Sequence, residues 1–357
     1  MNTQKVDLLS LLPDELEEFL ISLGEPKYRA KQLFTQMHRG VSPVDMTNIG
    51  KITKQKLDEV AFYSLPRIKR KLVSAIDGTV KYLFELSDGN SVESVVMKYK
   101  HGNTICVSSQ VGCRMGCAFC ASTIGGKLRD LAPSEILGQV LVAQNDTGER
   151  ISNIVMMGIG EPLDNYQNVI KFLRLVGCED GMNIGYRHIS VSTCGLVDKI
   201  DMLAKEDMPI TLSISLHASD DETRSSIMPV NRRWNIAALL DACRRYYQST
   251  GRRISFEYTL ISGKNDSVAS AERLAKLLNK ALRPSKSDSF PIHVNLIPVN
   301  PVAETEFSAT GKQAVQRFAK TLEDNGIRAT VRRTLGADIN ASCGQLRREE
   351  EKKNAYN

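Results

Sequence analysis

The spacing of apolar and polar residues changes twice along the chain and predicts three kinds of structure. Residues 1–62 show the period of about 3.6 residues that amphipathic helices have, with helices expected from Asp14, over Tyr28–His38 and over Lys54–Phe62. From Pro66 apolar and polar residues alternate, and turn signals at 87–90 and 100–103 separate strands over 79–86, 91–99 and 104–108. A helical unit therefore precedes a β-meander.

Beyond residue 120 short apolar strands alternate with amphipathic helical stretches. The predicted strands cover 153–158, 188–193, 210–216, 254–260 and 293–298. Counting 104–108 gives six βα units, and repeated right-handed crossovers of this kind build a parallel sheet. We predict an α/β fold, a partial (βα)6 barrel whose active site lies at the C-terminal ends of its strands.

These patterns divide the chain into four parts. They are a helical accessory domain at 1–62, a β-meander linker at 63–98, the barrel core at 99–337, and a C-terminal segment with a charged tail at 338–357. The basic residues of the first part are either a solvated face or an RNA-docking surface.

The composition of the 357 residues is that of an ordinary globular protein, with 42% hydrophobic and 25% charged residues. No apolar run approaches the roughly 20 residues that cross a bilayer, and the N-terminus does not resemble a secretory signal. We therefore expect a cytoplasmic enzyme that has no membrane partner. The net charge of +6 permits binding to a polyanion but does not establish it.

The eight cysteines are unevenly placed. Cys113, Cys117 and Cys120 form a C-x3-C-x2-C motif directly after a predicted strand. Three thiolates on one short loop can bind three irons of a 4Fe–4S cluster and leave the fourth iron open to a small molecule. Zinc is the alternative, but it usually takes four protein ligands and no second cysteine pair lies nearby.

Polar residues follow several of the other predicted strands, where each strand should face the site. The loop Gly158–Pro162 offers a closely approaching backbone and one carboxylate. Further polar positions at strand ends are Ser192, the stretch Ser215–His217 and Asn300. A capping or core-edge role is the alternative for each of them.

With these residues assembled, the sequence resembles the RlmN/Cfr family of radical S-adenosylmethionine methyltransferases along nearly its whole length. The matching blocks are 106–113, the cysteine motif, 156–162, 214–218, 228–231, 295–298 and 343–346. Their order and spacing make the resemblance highly specific.

The resemblance implies a set of cofactors, substrates and partners. It implies one 4Fe–4S cluster on the three motif cysteines, two S-adenosylmethionine molecules per turnover, and an electron donor such as flavodoxin. The implied substrates are an adenosine of the peptidyl-transferase centre in 23S rRNA and adenosine 37 of certain tRNAs, methylated at C2 by a monomeric enzyme.

The resemblance also implies a role for individual residues. Cys343 becomes S-methylated, Cys106 resolves the RNA adduct through a transient disulfide, and Glu93 accepts a proton. The residues implied to contact S-adenosylmethionine are Gly160, Glu161, Ser192, Ser215, Leu216, His217 and Asn300. An adenine C2 is electron-poor and cannot attack a sulfonium methyl group, whereas a thiolate can, so a methyl-carrying cysteine makes chemical sense.

Simpler interpretations stand beside these roles. Lone cysteines are usually buried small hydrophobes, which is our interpretation of Cys178, Cys194 and Cys243. Glu93 on a strand would otherwise be a surface carboxylate. Basic runs that offer RNA contacts, or only a solvated face, are the N-terminal helices, 67–71, and Arg328 with Arg332 and Arg333.

Two alternative functions remain open at this point. A Cfr-type enzyme would methylate C8 of the same adenosine; Glu161-Pro162 weakly favours C2. From a different class, the chain could bind RNA without modifying it, or activate another enzyme as a radical activase, and neither task needs a methylatable cysteine.

Overall fold

The computed structural model describes residues 5–285, 289–299, 307–341, 346–348 and 350. Within these ranges no helix is long and apolar enough to cross a membrane. The α/β fold class is confirmed: helices alternate with the strands of a large, mainly parallel sheet.

The N-terminal unit consists of three helices closed by a short strand pair. The elements are β1 (Val6–Asp7), α1 (Pro13–Ser22), α2 (Tyr28–Met37), α3 (Lys51–Val60) and β2 (Ala61–Phe62). Glu15 in the first turn of α1 accepts a hydrogen bond from the Leu12 amide at 2.8 Å, which caps the helix start. The predicted helix Lys54–Phe62 ends earlier, because Ala61 and Phe62 are extended and pair with β1.

The meander contains one strand more than predicted. Its strands are β3 (Arg67–Val73), β4 (Val80–Glu85), β5 (Ser91–Tyr99) and β6 (Gly102–Cys106), each antiparallel to the next. The additional strand, β3, lies at the edge of the sheet and carries mostly exposed, basic side chains. Its charges suit an edge strand but hide the alternation that sequence patterns rely on.

A two-stranded sheet that the sequence did not predict frames the cysteine loop. It pairs β7 (Gln110–Gly112) with β8 (Lys127–Asp130). A side chain at Gly112 would place its Cβ only 1.9 Å from the Gly126 carbonyl oxygen, and Gly112 has a φ of +80°. Only glycine allows the two strands to approach this closely.

All six predicted parallel strands are present, and a seventh follows them. After β6 come α4 (Pro133–Thr147), β9 (Ile151–Met156), α5 (Tyr166–Gly177), β10 (Ile189–Thr193), α6 (Val197–Leu203), β11 (Thr211–Ser215), α7 (Asp221–Ile227), α8 (Ile236–Thr250), β12 (Ile254–Leu260), α9 (Val268–Leu282), β13 (His293–Pro298), α10 (Lys312–Asp324) and β14 (Arg328–Val331). The ten-stranded sheet runs β14-β13-β12-β11-β10-β9-β6-β5-β4-β3, with the parallel strands from β6 to β14. The meander thus extends one edge of the partial barrel.

The segment after β14 reaches the opposite end of this sheet. Asp338 accepts hydrogen bonds from the Ser74 hydroxyl at 2.6 Å and the Ala75 amide at 2.8 Å, in the turn between β3 and β4. From the same turn, the Asp77 carboxylate accepts from the Gly336 amide at 2.8 Å. The C-terminal segment is therefore fastened across the space between the last barrel strand and the meander.

Candidate active site

The three motif cysteines line one cavity at the C-terminal ends of the barrel strands. The predicted residues that share its wall are Gly160, Glu161, Ser192, Ser215 and His217. The structure thus brings together residues that follow four different strands. Sites in barrels of this kind lie at this end, because loops from successive strands converge there.

The cysteine loop is held by backbone hydrogen bonds at both ends. The Cys113 amide donates to the Gly126 carbonyl at 3.1 Å, and the Ala118 amide donates to the Ile227 carbonyl at 2.9 Å. The loop is therefore tied to the β7–β8 sheet on one side and to the end of α7 on the other.

The protonation of the motif cysteines suits a site for bound iron. Burial raises the pKa of the Cys113 thiol to about 12 and raises that of Cys117 further. Such thiols stay protonated at neutral pH unless a bound cation stabilises the thiolates, and metal binding does this outright. The described cysteines form no disulfide.

The positions of these thiols are compatible with a 4Fe–4S cluster. Among the described residues, no three His, Cys, Asp or Glu side chains converge closely enough to hold one metal ion. A 4Fe–4S cluster does not need such convergence, because each thiolate binds a different iron. The three cysteines on one buried wall therefore fit the cluster that the sequence predicts.

Glu161 is buried beside the cysteines, and several hydrogen bonds fix its position. Its carboxylate oxygens accept hydrogen bonds from the Cys194 amide at 2.8 Å and the Leu163 amide at 3.0 Å. Its own amide donates to the Gln110 side chain at 2.9 Å. Burial raises the pKa of Glu161, while these amides oppose that shift. The carboxylate is a fixed acceptor for a ligand cation at the cavity wall.

Gly160, next to Glu161, is required by the close approach of two loops. Its φ is +108°, and a Cβ there would lie 2.6 Å from the Cβ of Gln110. The Gln110 side-chain amide in turn donates to Asp130 at 2.8 Å and Asp164 at 2.9 Å. Gln110 therefore links the cysteine loop to the Gly160-Glu161 loop.

His217 presents a neutral ring to the cavity. Its Nδ1 accepts a hydrogen bond from the Thr259 amide at 2.9 Å, so the neutral ring carries its proton on Nε2. Burial, assisted by the nearby Arg224, lowers the pKa of His217 to about 3. The ring meets Phe119 of the cysteine loop edge-on, with centroids 5.0 Å apart. His217 can therefore offer an N–H donor at any ordinary pH.

The other residues predicted to contact the cofactor divide into three cases. Ser192 and Ser215 are half-buried and line the cavity. Leu216 is fully buried, and its amide donates to the Glu257 carbonyl at 3.0 Å, so its side chain belongs to the core. Asn300 lies outside the described residues.

A second chamber, of about 200 Å³, adjoins the cysteine cavity and contains Cys106 and Glu93. Met157, Gly158, Ile297 and Arg332 line both spaces. Burial raises the pKa of the Cys106 thiol, and the Arg332 guanidinium opposes this. The two spaces are thus adjacent parts of one barrel interior.

Glu93 is a buried carboxylate in an ion pair. One of its oxygens lies 3.2 Å from Lys81 Nζ, and both side chains are at most 2% exposed. The other oxygen accepts a hydrogen bond from the Arg347 amide at 2.7 Å. Lys81 Nζ also donates to the Asn340 carbonyl at 2.9 Å. The pair therefore holds the chain on both sides of Cys343, which itself lies outside the described residues.

Sequence analysis missed Arg224, whose side chain forms four hydrogen bonds near the site. Its fully buried guanidinium donates to the carbonyls of Cys194 at 2.7 Å, Ser215 at 3.1 Å and Leu216 at 3.1 Å, and to the Asn231 side chain at 2.9 Å. It thereby joins the loops after β10 and β11. The block at 228–231 was a signal, since it contains Asn231, but Arg224 looks like a surface residue of a polar helix.

The three lone cysteines differ from one another. Cys243 is completely buried in the core, as expected of a small hydrophobe, whereas Cys178 is only half-buried. Cys194 is buried as predicted, but it lies in the wall of the cysteine cavity.

Two family descriptions match the chain. Residues 107–275 match the Radical SAM superfamily, and residues 6–62 match the ribosomal RNA large subunit methyltransferase N-terminal domain. The first match covers the cysteine motif and the strands that surround it. The second coincides with the N-terminal helical unit.

Similar proteins extend over nearly the whole chain. A protein of Clostridium novyi, described as a probable dual-specificity RNA methyltransferase RlmN, is 51% identical over 344 residues, which is 96% of this chain and 98% of the relative. One of Desulforamulus reducens with the same description is 51% identical and covers 99% of each chain. The crystal structure of a radical SAM methyltransferase from Sphaerobacter thermophilus is 43% identical, with a TM-score of 0.89 over 95% of this chain and 98% of that one.

Proposed function

Since the chain belongs to the RlmN family of radical S-adenosylmethionine RNA methyltransferases, we propose that it methylates C2 of adenosine in two RNAs. These are the peptidyl-transferase centre of 23S rRNA and position 37 of tRNAs. Cys343 carries the methyl group as an S-methyl intermediate, and Cys106 closes a transient disulfide with it. The similar proteins described as dual-specificity RNA methyltransferases support the two substrates.

The observation that carries this proposal is the shared wall of the two spaces. Cys106 and Glu93 lie in a chamber that meets the cysteine cavity at Met157 and Arg332. A base seated beside Cys106 would therefore adjoin the ligand held by Cys113, Cys117 and Cys120. Reactions of this kind depend on holding the reacting groups together in one enclosed space.

The protein residues hold the groups that flank this chemistry. When bound, the cluster and S-adenosylmethionine supply the 5′-deoxyadenosyl radical that activates the Cys343 methyl group. The residues that would bind S-adenosylmethionine are Gly160, Glu161, Ser192, Ser215, Leu216 through its backbone, His217 and Asn300. Glu161 suits an ammonium group, and the His217 N–H suits a carboxylate.

Glu93 and Cys106 act after the methyl carbon has bonded to the base. Glu93, which forms an ion pair with Lys81, takes the proton from C2 as a general base while the adduct radical passes one electron to the electron carrier, which restores the aromatic ring. The Cys106 thiol then gives up its proton and attacks the Cys343 sulfur, so a sulfur–sulfur bond replaces the sulfur–carbon bond, and the departing CH2 carbon takes up a proton to become the methyl group. Two electrons from a reductant restore the thiols.

The wider setting follows from these steps. Each turnover uses two S-adenosylmethionine molecules, one as methyl donor and one as radical source. An electron carrier such as flavodoxin supplies the reducing electrons. The enzyme acts as a monomer in the cytoplasm, where both RNAs are made.

The test is anaerobic reconstitution with iron and sulfide, followed by methylation of unmodified 23S rRNA fragments and tRNA. Mass spectrometry should find 2-methyladenosine in both RNAs. 8-Methyladenosine would instead identify a Cfr-type reaction. In the Cys343→Ala variant methylation should be lost; an activase would be unaffected by that substitution.

A further inference from the structure

The barrel interior opens, at the end opposite the cysteines, into a third space with a strong positive charge. This basic chamber, of about 440 Å³, is walled by the starts and middles of the parallel strands, including Asn153, Ser190 and Asn295. Four arginines and two histidines line it: Arg187, Arg253, Arg332, Arg333, His101 and His188. The lining contains no aspartate or glutamate.

The arginines of the basic chamber lack the carboxylate partners that many other cations in the described part of the chain have. In the described part of the chain, no carboxylate lies within ion-pair distance of any of the four. Arg253 contacts only the His293 ring, at 3.3 Å, and Arg332 contacts the Met157 sulfur, at 3.8 Å. The guanidiniums of Arg187, Arg253 and Arg333, gathered without carboxylate partners, form a site that attracts a polyanion, whereas Arg332 also lies near the buried carboxylate of Glu257.

The other candidate RNA contacts are largely neutralised within the protein. In the N-terminal helices Lys27 pairs with Glu17 at 2.6 Å and Lys31 with Asp180 at 2.9 Å. On β3, Lys71 pairs with Asp146 at 2.6 Å. These cations have less to gain from a phosphate than the arginines of the basic chamber have.

The basic chamber also carries a surface for a nucleobase. At its rim the rings of Tyr99 and His101 stack, with centroids 5.2 Å apart and planes 15° from parallel. Unstacked RNA bases bind to such aromatic faces. Nearby, the Asn153 side-chain nitrogen is buried and has no hydrogen-bond partner, so it is a donor available to a ligand.

The basic chamber connects directly with the second chamber, which contains Glu93 and Cys106. Met97, Met157, Arg332 and Arg333 line both it and the space that holds Glu93 and Cys106. An RNA strand in the basic chamber would therefore place its neighbouring base beside Cys106, provided that base leaves its stack.

We propose that the basic chamber binds the nucleotide next to the target adenosine. Its phosphate rests on Arg187, Arg253 and Arg333, and its base stacks on the Tyr99–His101 pair. This assignment rests on the proposed RNA substrate. It explains how one site accepts two different RNAs, because phosphate and stacking contacts are largely independent of sequence.

The test compares two charge-matched double variants of the cluster-loaded, full-length protein. Arg187→Gln/Arg253→Gln removes two chamber arginines. Arg174→Gln/Arg245→Gln is the control, because it removes two exposed arginines that pair with Glu206 at 3.0 Å and Asp201 at 2.8 Å. Fluorescence anisotropy measures the affinity for a tRNA anticodon stem–loop over a range of salt concentrations.

We expect the chamber variant to bind at least about tenfold more weakly, with the slope of log affinity against log salt reduced by about 0.7, the value for one phosphate of a single strand. The control should match the parent. Tyr99→Ala should weaken binding at least about fivefold and Tyr99→Phe should not, because stacking needs only the ring. All variants should cleave S-adenosylmethionine normally without RNA, which shows that they are folded and loaded.

Equal affinity and slope in the two double variants would overturn the assignment while leaving the proposed function intact, provided the parent methylates RNA. A parent that neither binds nor methylates RNA would refute the proposed function itself. Preference of the parent for an acidic peptide over RNA would refute the assignment of the chamber to a nucleotide.

Discussion

The two ends of the barrel interior differ in whether the protein itself provides partners for their charged side chains. At the cysteine end, buried Glu161 and Arg224 are almost fully engaged with backbone groups, so their positions do not depend on a ligand. At the other end, Arg187 and Arg253 are exposed and lack carboxylate partners among the described residues. A pre-organised wall suits a small ligand of constant shape, whereas unpaired guanidiniums suit a large and variable polyanion.

We expect the largest effect when one of the motif cysteines is replaced, because the protein should then lose its cluster and its methylation activity. Cys117→Ala should remove one of three cluster ligands, so that iron content falls and methylation drops to background. Iron analysis and the visible spectrum after anaerobic reconstitution measure this. Cys178→Ala is the control, because that thiol is half-buried, donates a hydrogen bond to the Arg174 carbonyl at 3.2 Å and is not among the residues that line the cysteine cavity. Equal iron in both variants would contradict the ligand assignment.

The next largest effect concerns the second chamber, which contains Glu93 and Cys106 and adjoins both the cysteine cavity and the basic chamber. Lys81→Met should slow methylation about 10²-fold or more, because Glu93 loses the buried partner, 3.2 Å away, that positions its carboxylate as the general base. Since Glu93 acts after the methyl carbon has bonded to the base, the protein–RNA adduct should accumulate on denaturing gels. Lys98→Met, on β5 but exposed and paired with Glu149, should behave like the parent. A slow Lys81→Met enzyme without adduct would indicate a purely structural role.

Arg224 tests whether the cysteine end is pre-organised. Arg224→Met should destabilise the fold by about 3 kcal/mol or more, because several buried carbonyls lose their donor. Arg245→Gln, which breaks only an exposed ion pair with Asp201, should cost less than about 1 kcal/mol. Urea unfolding of both variants gives these values. Similar losses would mean that Arg224 does not hold the loops together.

The smallest effect lies far from both ends, at His38. Its ring is buried without hydrogen-bond partners, and burial lowers its pKa to about 4. The unfolded chain protonates this histidine below pH of about 6.5, while the folded protein does not, so stability falls as pH decreases from there towards 4. Between pH 7 and 5.5 the loss should be about 1 kcal/mol, and His38→Leu should remove that part of the pH dependence. If the urea midpoint of His38→Leu depended on pH as it does in the parent, His38 would not be a source of this pH dependence.

A contrast between buried and exposed segments also explains which strands sequence analysis could predict. The six parallel strands were predictable because they are short segments rich in apolar residues; Ile254–Leu260, for example, has an apolar residue at every second position and is buried throughout. The short strand β14 was not, because it has four residues and most of their side chains are exposed. The β7–β8 sheet depends on a contact between Gly112 and Gly126, which no local pattern reveals.

Within the candidate site, the spacing of the cysteines was enough to identify the motif. The burial of the charged residues could not be inferred from the sequence. Glu93 and Lys81 occupy alternating positions of two strands and look like surface charges, yet they are buried because the C-terminal segment covers them. The arginines of the basic chamber come from separate parts of the chain, so only the fold gathers them. Cys343 and Asn300 remain predictions from family resemblance.

The most direct test of the central claim is whether the metal at Cys113, Cys117 and Cys120 binds S-adenosylmethionine. The reconstituted protein should contain about four irons per chain, and electron paramagnetic resonance of the reduced cluster should change when S-adenosylmethionine is added. Stoichiometric zinc in place of iron, or a cluster signal that is identical with and without S-adenosylmethionine, would contradict the account.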